Sequence, residues 1–472
     1  MPRRASMPSR TRRRPPSYSR QLRVPFAGSI AAGGQGADSV TGLDVSIQRS
    51  TIATISWRIL PLIGLGYLFS LMDRINVSFA ALQMNEELRF SATIYGMGAG
   101  AFYLAYALFE VPSNMLLTRF GARRWLARIM VTWGLIAASM MFVRSPAQFY
   151  VSRFMLGAAE AGFFPGVVYY LAHWFPRLQR GRAISRFYFF GPLGSTIMGL
   201  ASPPLLALHG HFGLSGWQWL FLVEGLPAAG VGIAMFFLLP DSPSSVRWLR
   251  TDQSDWIERQ LNADTARIPA TGSTTLAAAL AHPATGRFAL LGMLTIGAMV
   301  TYALSGPLIL RKAGFSSGEI GTLVAVGGVL GALGMLATGW ISDRRGERFT
   351  TMWISTTIMG LAFAMTAIVS SPAGFAVAYL LYAVSWGAVT LSQVSAWPDC
   401  LQGRVLALGC AAINTLSQLG AFLMPILWGR LSDSTGDFRA VAIFLTVATA
   451  VALLLTAELA NHVRRALAAA AA

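Results

Sequence analysis

Leu71-Met72-Asp73-Arg74-Ile75-Asn76-Val77-Ser78-Phe79 places an acid directly before a base, within an apolar run that extends from about Trp57 to Leu82. A run of this length can cross a bilayer as an α-helix. A charged side chain at the centre of a membrane costs at least about 2.5–3.5 kcal/mol on insertion scales. Asp73 and Arg74 therefore need partners, and we expect those partners in other spans of the chain.

The composition predicts a polytopic membrane protein. Of the 472 residues, 54% are hydrophobic and only 12% are charged, whereas soluble domains carry about 25% charged residues. The formal net charge of +17 could suggest a nucleic-acid-binding protein, but the arginines cluster in short loops between apolar spans. Such loops face phospholipid headgroups, so the expected partner is the lipid bilayer and no nucleic acid is expected.

Twelve apolar segments have close to the roughly 20 residues that a membrane-crossing helix needs. Helices are expected because a lipid-exposed backbone must satisfy its own hydrogen bonds. The predicted fold class is therefore an all-α membrane protein with twelve transmembrane helices. The predicted spans lie at about 57–82, 92–117, 125–143, 147–173, 183–208, 217–239, 288–310, 318–341, 350–370, 373–396, 404–430 and 438–460.

Arginines are concentrated in the loops on one side of these spans. By the positive-inside rule that side is cytoplasmic, which puts both termini in the cytoplasm and the chain in a cell inner membrane. An Arg- and Ser-rich leader with few acids can also be a targeting segment, and a wrongly chosen start codon is a third explanation for it. We expect a basic disordered tail over 1–50, six-helix bundles over 51–240 and 287–460, a cytoplasmic connector over 241–286 and a C-terminal tail over 461–472.

The two halves of the chain resemble each other. Arg119-Phe120-Gly121-Ala122-Arg123-Arg124 follows the second span, and Arg344-Arg345-Gly346-Glu347-Arg348 follows the eighth. A Trp-initiated segment precedes span five at Trp174 and span eleven at Trp397. These repeats predict two pseudo-symmetric six-helix bundles, an arrangement that supports alternating access to a site near the middle of the membrane.

Gly339-Trp340-Ile341-Ser342-Asp343-Arg344-Arg345-Gly346-Glu347-Arg348 resembles the GxxxDRxGxR loop signature of the major facilitator superfamily. The resemblance implies a charged latch at the cytoplasmic face that breaks when the two halves move. The alternative is a basic loop that only fixes the orientation of the chain. In the first-half copy, Asn114 and Thr118 replace the expected glycine and aspartate. The expected gate residues are Gly339, Asp343, Arg344, Gly346, Arg348, Arg119, Gly121 and Arg123.

Within that superfamily, the chain resembles the anion:cation symporter family, whose members carry tartrate, aromatic acids and sugar acids. Near Asn414, the residues Gln418 and Ala421 depart from the family pattern, so substrate contacts in the second half are expected to differ. The stretches that carry the resemblance are DRINVSFA from Asp73, FEVPSN from Phe109, RFMLGAAEAGFFPG from Arg153 and GWQWLFLVEGLP from Gly216.

Arg153 and Glu160 lie about two helical turns apart in the fourth span and share one helix face. With Asp73 and Arg74 they form a neutral set of four charges, which a bilayer tolerates. Arg74 is the predicted carboxylate-binding group because its planar fork matches a carboxylate. Arg153 either assists it or pairs with Glu160. Asp73 and Glu160 are the predicted proton-coupling residues, and the resemblance implies the same roles. The alternative is two ion pairs that only stabilise helix contacts.

Tyr106, Tyr302 and Asn414 are further candidates for hydrogen bonds to a substrate, although each could instead be a packing residue. Glu110 and Glu224 lie in or near the membrane and are interpreted as structural. The histidines and cysteines form no metal-binding or disulfide pattern, so no metal and no cofactor are expected.

Together these features predict a secondary transporter that imports a small organic anion, such as tartrate, an aromatic acid or a sugar acid, with protons. We expect it to act as a monomer. The first alternative is an exporter or a facilitator of another small solute, although a carrier of neutral solutes would need neither Arg74 nor Arg153. A membrane-embedded enzyme should show a nucleophile–base pair or a metal cluster, and the sequence indicates neither. A non-transporting sensor should carry a soluble signalling domain, and the tail and the connector are too short and too irregular for one.

Overall fold

The computed structural model describes residues 37–266, 276–345, 348–401 and 405–471, which are helical over most of their length and contain no β-strand. Short turns join most consecutive helices. The α-helices are α1 (Ala37–Glu87), α2 (Ala92–Phe120), α3 (Ala122–Ser139), α4 (Pro146–Glu160), α5 (Phe163–Ala172), α6 (Arg177–Tyr188), α7 (Phe190–Leu206), α8 (Gly216–Leu238), α9 (Thr251–Ala266), α10 (Leu276–Ala281), α11 (Pro283–Lys312), α12 (Ser317–Arg345), α13 (Phe349–Ile368), α14 (Pro372–Cys400), α15 (Val405–Thr435) and α16 (Arg439–Ala471).

Eleven helical segments in the described part of the chain are long and apolar enough to cross a membrane. The remaining predicted span, 183–208, is divided between α6 and α7, and each of these helices alone is shorter than the roughly 20 residues that a membrane crossing needs. Phe189 between them keeps helical backbone angles (φ −59°, ψ −27°), so the helical path continues from one to the other. The predicted all-α membrane architecture is confirmed. The fifth predicted span is absent from the eleven only because it is divided into two helices at Phe189.

Several helices extend beyond the predicted spans. α1 begins at Ala37, inside the predicted tail, while residues 1–36 lie outside the described residues. α16 continues to Ala471, inside the predicted C-terminal tail. α11 begins at Pro283, a few residues before the predicted second bundle, because His282 accepts a hydrogen bond from the Ala284 amide and caps the helix.

The predicted connector contains α9 and α10, and residues 267–275 between them lie outside the described residues. α9 is attached to the first half of the chain. The Gln253 amide donates to Ser50 Oγ at 3.0 Å, and Asp264 Oδ2 accepts from the Arg177 backbone N–H at 2.6 Å. The first part of the connector therefore belongs structurally to the first bundle.

Helices pair within each half and, more selectively, between the halves. α3 packs along α8 and α2 along α4 in the first half, and α11 along α15, α12 along α14 and α13 along α16 in the second. The halves meet where α2 packs on α15 and α7 on α12. A Cβ at Gly96 would clash with the Pro425 carbonyl, and one at Gly199 would lie 2.5 Å from the Gly321 carbonyl oxygen. Glycines thus allow the backbones of the two halves to touch.

We call the helix ends near Arg119, Arg177 and Arg344 the arginine-rich end, and the ends near the α1–α2 and α15–α16 turns the arginine-poor end. At the arginine-poor end, Asp433 on α15 accepts hydrogen bonds at 2.9 Å from the Ala92 and Thr93 backbone N–H groups at the start of α2. A carboxylate at a helix N-terminus is favourable because unpaired N–H groups and the helix dipole face it. This contact ties the two halves together at the arginine-poor end.

Replacing Asp433 with alanine should open the arginine-poor end. Loss of an N-terminal cap costs about 0.5–2 kcal/mol, which raises the population open at this end by about 2- to 30-fold. Electron–electron distance measurements between spin labels at the exposed positions Glu86 and Ser371, in a cysteine-free background, report this opening. Asp437→Ala is the matched control because Asp437 caps only its own neighbour Arg439. An unchanged distance distribution in Asp433→Ala would contradict the role of the cap.

Candidate functional site

The fourth span is interrupted at a predicted site residue. α4 ends at Glu160 and α5 begins at Phe163. Gly162 between them has φ +87°, and a Cβ there would lie 2.5 Å from Ser113 Oγ. Only glycine combines this left-handed backbone with so close an approach. Interrupted helices inside a membrane are typical of binding sites, because irregular backbone is tolerated there when it lines a cavity or is buried in protein.

Arg74 on α1 forms an ion pair with Glu160 at this interruption. Arg74 Nη2 lies 2.7 Å and Nε 3.1 Å from Glu160 Oε1, and Ser70 Oγ donates to the same oxygen at 2.7 Å. The Glu160 side chain is 1% exposed, whereas the Arg74 side chain is 25% exposed. Arg74 therefore joins a buried carboxylate to an accessible surface. Of the two arginines that could pair with Glu160, the structure selects Arg74.

Two aromatic rings support the arginines. The Arg74 guanidinium lies 5.0 Å from the Tyr106 ring centroid and 5.5 Å from that of Phe102. The Arg153 guanidinium lies 4.8 Å from the same Phe102 ring. Phe102 is thus a shared platform for both cations, held by cation–π attraction. Tyr106, a predicted substrate contact, is placed beneath Arg74.

Arg153 is fully buried, and its polar atoms are only partly satisfied. Its Nε and Nη1 atoms have no hydrogen-bond partner within the described residues, and its recorded contact is the Phe102 ring. Buried donors left unpaired are destabilising by about 1–3 kcal/mol each, and more when charged. Arg153 therefore offers unused donors close to the ring that also supports Arg74.

Asp73 lies in a separate buried hydrogen-bond chain. Asn76 Nδ2 donates to Asp73 Oδ1 at 3.3 Å and to Glu224 Oε2 on α8 at 2.5 Å. All three side chains are buried. The sequence marks Glu224 as structural, and Asn76 is not among the predicted site residues. Asn76 could have been predicted as a site residue from its spacing of about one helical turn from Asp73, because this spacing puts both residues on one face of α1.

In the second half, Tyr302 belongs to an aromatic cluster. Its hydroxyl lies 2.8 Å from Thr366 Oγ1, and its ring centroid lies 4.7 Å from that of Tyr382 and 5.1 Å from that of Phe363. The Tyr382 hydroxyl donates to the Met299 carbonyl at 2.8 Å. The structure does not bring Tyr302 into hydrogen-bond contact with the four charged residues of the first half.

Asn414 on α15 reaches across the interface between the halves. Its Nδ2 lies 3.1 and 3.2 Å from the two carboxylate oxygens of Glu110 on α2. Glu110 is buried, so this amide provides its polar contact. The sequence suggests that Glu110 is structural, and the structure gives it a partner in the opposite bundle.

The predicted gate residues of the first half make contacts only within the first half of the described chain. Arg123 pairs with Asp241 at 3.0 Å, and the Arg119 guanidinium lies 5.7 Å from the Phe120 ring centroid. Gly121 ends α2 with φ +87°, a backbone conformation that favours glycine. These residues shape the turn between α2 and α3.

The gate residues of the second half likewise stay within their own bundle. Arg344 lies over the Trp340 ring at 3.9 Å, and Arg348 donates to the Ser395 carbonyl. Asp343 is exposed and forms no ion pair with the described residues. A Cβ at Gly339 would make only an ordinary contact with Leu391, and Gly346 lies outside the described residues. Among the described residues, no ion pair joins the two halves.

Comparisons with known proteins agree with this architecture. Residues 63–425 match the Major Facilitator Superfamily. A candidate tartrate transporter of Agrobacterium vitis is 37% identical over 421 residues, covering 88% of this chain and 92% of that protein. A quinolone resistance transporter of Acinetobacter baumannii is 34% identical over 423 residues, covering 87% and 95%. The crystal structure of a bacterial homologue of the human lysosomal transporter Spinster, inward-facing and unoccupied, aligns with a TM-score of 0.68 at 16% identity and covers 86% and 95%.

The family match spans most of the helical part of the chain, and the structural neighbour shares its fold. The predicted twelve-helix architecture is confirmed by this agreement, and so is the prediction of a transporter rather than an enzyme. The chain belongs to the Major Facilitator Superfamily.

Proposed function

We propose that this transporter imports a small organic anion together with protons. The candidate substrates are tartrate, an aromatic acid and a sugar acid, and similarity to a candidate tartrate transporter supports this class. The arginine distribution supports a cell inner membrane location with both termini in the cytoplasm. The protein acts as a monomer in this proposal.

The observation that carries the proposal is the asymmetric exposure of the Arg74–Glu160 pair. Glu160 is buried, while a quarter of the Arg74 side chain is accessible. Arg74 presents a planar fork that binds carboxylates in two-point fashion. A substrate carboxylate can therefore approach Arg74 from the accessible side and compete with Glu160 for it.

This competition provides proton coupling. When a substrate carboxylate takes Arg74, Glu160 keeps only the Ser70 hydroxyl as a partner. A buried carboxylate without a cation is strongly destabilised, so Glu160 takes up a proton. The anion and the proton are then bound together, and the site returns to the Arg74–Glu160 pair when both leave. Arg153 supplies its unpaired donors to the same anion.

The second-half residues complete the cycle. Asn414 exchanges Glu110 for the substrate when the bundles close around it, and Tyr302 binds the substrate after its hydroxyl leaves Thr366. Asp343, Arg344 and the other residues of the charged loop latch the arginine-rich end in the alternate state. The exposure of Asp343 and the lack of an ion pair to it among the described residues support a latch that is released in this conformation.

An exporter is the second candidate. The observation in its favour is the 34% identity to a quinolone resistance transporter over nearly the whole chain. A quinolone drug also carries a carboxyl group, so it could use the same arginine fork. We favour import because the candidate tartrate transporter is 37% identical to this chain, slightly more than the quinolone resistance transporter.

Uptake into proteoliposomes tests the proposal. Radiolabelled tartrate, benzoate, gluconate and a quinolone are offered to vesicles with an alkaline interior. We expect at least one of the three acids to accumulate above its level in protein-free vesicles with the same pH gradient, and a protonophore to abolish that accumulation. Movement of the quinolone alone would favour the exporter, and failure of all three acids to accumulate would contradict proton-coupled import.

A further inference from the structure

The chain from Asp73 through Asn76 to Glu224 contains more acceptors than donors. One amide nitrogen serves both carboxyl groups. Asp73 Oδ2, Glu224 Oε1 and Asn76 Oδ1 are buried, and none has a hydrogen-bond partner among the described residues. The buried indole N–H of Trp133 on α3 also has no hydrogen-bond partner among the described residues and acts on Asp73, so it can serve one of these three acceptors. At least two acceptors still lack a donor, which is unusual because buried polar groups are nearly always hydrogen-bonded. A proton on one of the carboxyl groups would supply the missing donor.

The charge balance indicates the same deficit. Arg74 and Arg153 face three buried acids around the interruption of the fourth span: Asp73, Glu160 and Glu224. Glu160 already takes Arg74 as its partner. The remaining two acids share a single cation, Arg153, so one negative charge is left over. An uncompensated charge at this depth neutralises by binding a proton rather than remaining ionised.

Glu224 has no other neighbour that could offset this charge. The charged side chains that act on it are Asp73 from α1 and Arg153 and Glu160 from α4. α3 and α7 also pack on α8. α7 contains no ionisable residue, and α3 contains none beyond Arg128, which is near its start. The nearest acid to Glu224 across the shared amide is therefore Asp73.

We propose that Glu224 is a third proton-binding residue, which shares one proton with Asp73 through the side-chain amide of Asn76. A proton on Glu224 can donate to Asn76 Oδ1 once the amide turns, and Asn76 Nδ2 then donates to Asp73. When the proton is on Asp73 the amide is turned the other way, because the two ends of an amide exchange roles when it flips. The proton itself passes from one carboxyl to the other, with one O–H bond broken and one O–H bond formed, and the amide keeps its own two N–H protons throughout.

This proposal deepens the proposed function and rests on it for its role in transport, since the shared proton decides whether Arg153 faces a neutral or a charged Asp73. Glu224 is a positioning residue in that sense, because it sets the protonation of Asp73 without touching the substrate. The protonation of Glu224 can be measured without any substrate, so a negative result in that measurement would not contradict proton-coupled import. A negative result in the uptake screen would likewise not contradict the shared proton.

Infrared difference spectroscopy of the full-length protein in lipid nanodiscs tests the shared proton. A protonated carboxyl gives a C=O stretching band that a carboxylate lacks. We expect that band in the wild-type protein at neutral pH and its loss in Glu224→Gln. Asp252→Asn is the matched control, because Asp252 is an exposed acid in the connector and should leave the band unchanged. A band that persists unchanged in Glu224→Gln would overturn the proposal.

A second measurement covers the case in which Glu224→Gln fails to fold. Wild-type protein carrying ¹³C in its glutamate carboxyl groups should show the band at lower frequency, since a glutamate holds the proton for part of the time. The shift should persist in Glu160→Gln and in Glu110→Gln, which remove the other buried glutamates. A band that does not move on labelling, or whose shift disappears in either variant, would show that Glu224 is not the carrier.

Discussion

Arg74→Ala should abolish uptake of the organic anion while the protein remains in the membrane. Arg74 is the partly exposed member of the pair with Glu160, and its guanidinium is held over Tyr106. Truncating one partner of a buried, hydrogen-bonded charge pair between a ligand and its site costs about 2–5 kcal/mol of binding free energy. At about 1.4 kcal/mol per tenfold in affinity, substrate binding should weaken by about 30-fold or more. Proteoliposome uptake at equal protein incorporation measures the loss.

A double variant separates the functional role of Arg74 from a purely structural one. Arg74→Ala leaves Glu160 buried without a cation, so the single variant should also unfold at lower temperature. Arg74→Met with Glu160→Gln removes both charges and should recover the thermal stability. If the pair only held α1 against α4, the double variant would also transport. We expect it to be stable and inactive.

Arg287→Ala provides the matched control. Arg287 also pairs with a glutamate, Glu458, at 3.3 Å, but both side chains are at least one-third exposed and lie in the second half. Exposed pairs contribute little, about 0–1 kcal/mol. Near-normal uptake by Arg74→Ala, or a loss of the same size in Arg287→Ala, would contradict a carboxylate-binding role for Arg74.

The charged residues of the site could be predicted from the sequence because each one interrupts an apolar run. Their pairing could not. Arg74 and Glu160 are 86 positions apart, and whether Glu160 meets Arg74 or Arg153 depends on the rotation of α1 and on the interruption at Gly162. The sequence leaves both pairings open, and the helix geometry decides between them.

Hydrogen bonds between helices that are distant in the sequence are a second feature that could not be predicted. Asn76 and Glu224 are separated by 148 positions, and Asn414 and Glu110 by 304. Periodicity assigns a residue to a helix face but does not say which helix covers that face. The sequence predicts structural roles for Glu110 and Glu224, and the structure shows each of them hydrogen-bonded to an asparagine of another helix.

The fifth span shows a different limit. Its apolar part, Phe190–Leu206, is preceded by a segment rich in arginine, so the helix that enters the membrane is short. Hydropathy predicts the crossing, and the helical backbone angles of Phe189 carry the helix on from α6 into α7. The fold class is more predictable than the helix ends, because it depends on the sum of many apolar residues rather than on one turn.

Glu160→Gln should uncouple the anion from the proton. Glutamine has the shape of glutamate and can still accept a hydrogen bond from Ser70, but it binds no proton in exchange for Arg74. Arg74 would then stay available to the substrate, since no internal carboxylate competes for it. We expect accumulation driven by a pH gradient to fall to the level of equilibration, while counterflow exchange of labelled for unlabelled substrate continues.

Two measurements on the same vesicles separate these outcomes. Uptake with an alkaline interior reports coupling, and exchange without a pH gradient reports binding and the movement of the two halves. Glu458→Gln is the matched control, because it removes an exposed glutamate from an arginine pair in the second half. Accumulation that persists in Glu160→Gln would assign coupling to the proton shared by Asp73 and Glu224 alone. Loss of exchange as well would mean that Arg74 requires a carboxylate at Glu160 to keep its orientation over Phe102 and Tyr106. The predicted pattern, exchange without accumulation, requires that Glu160 both competes for Arg74 and carries the proton, since neither property alone produces it.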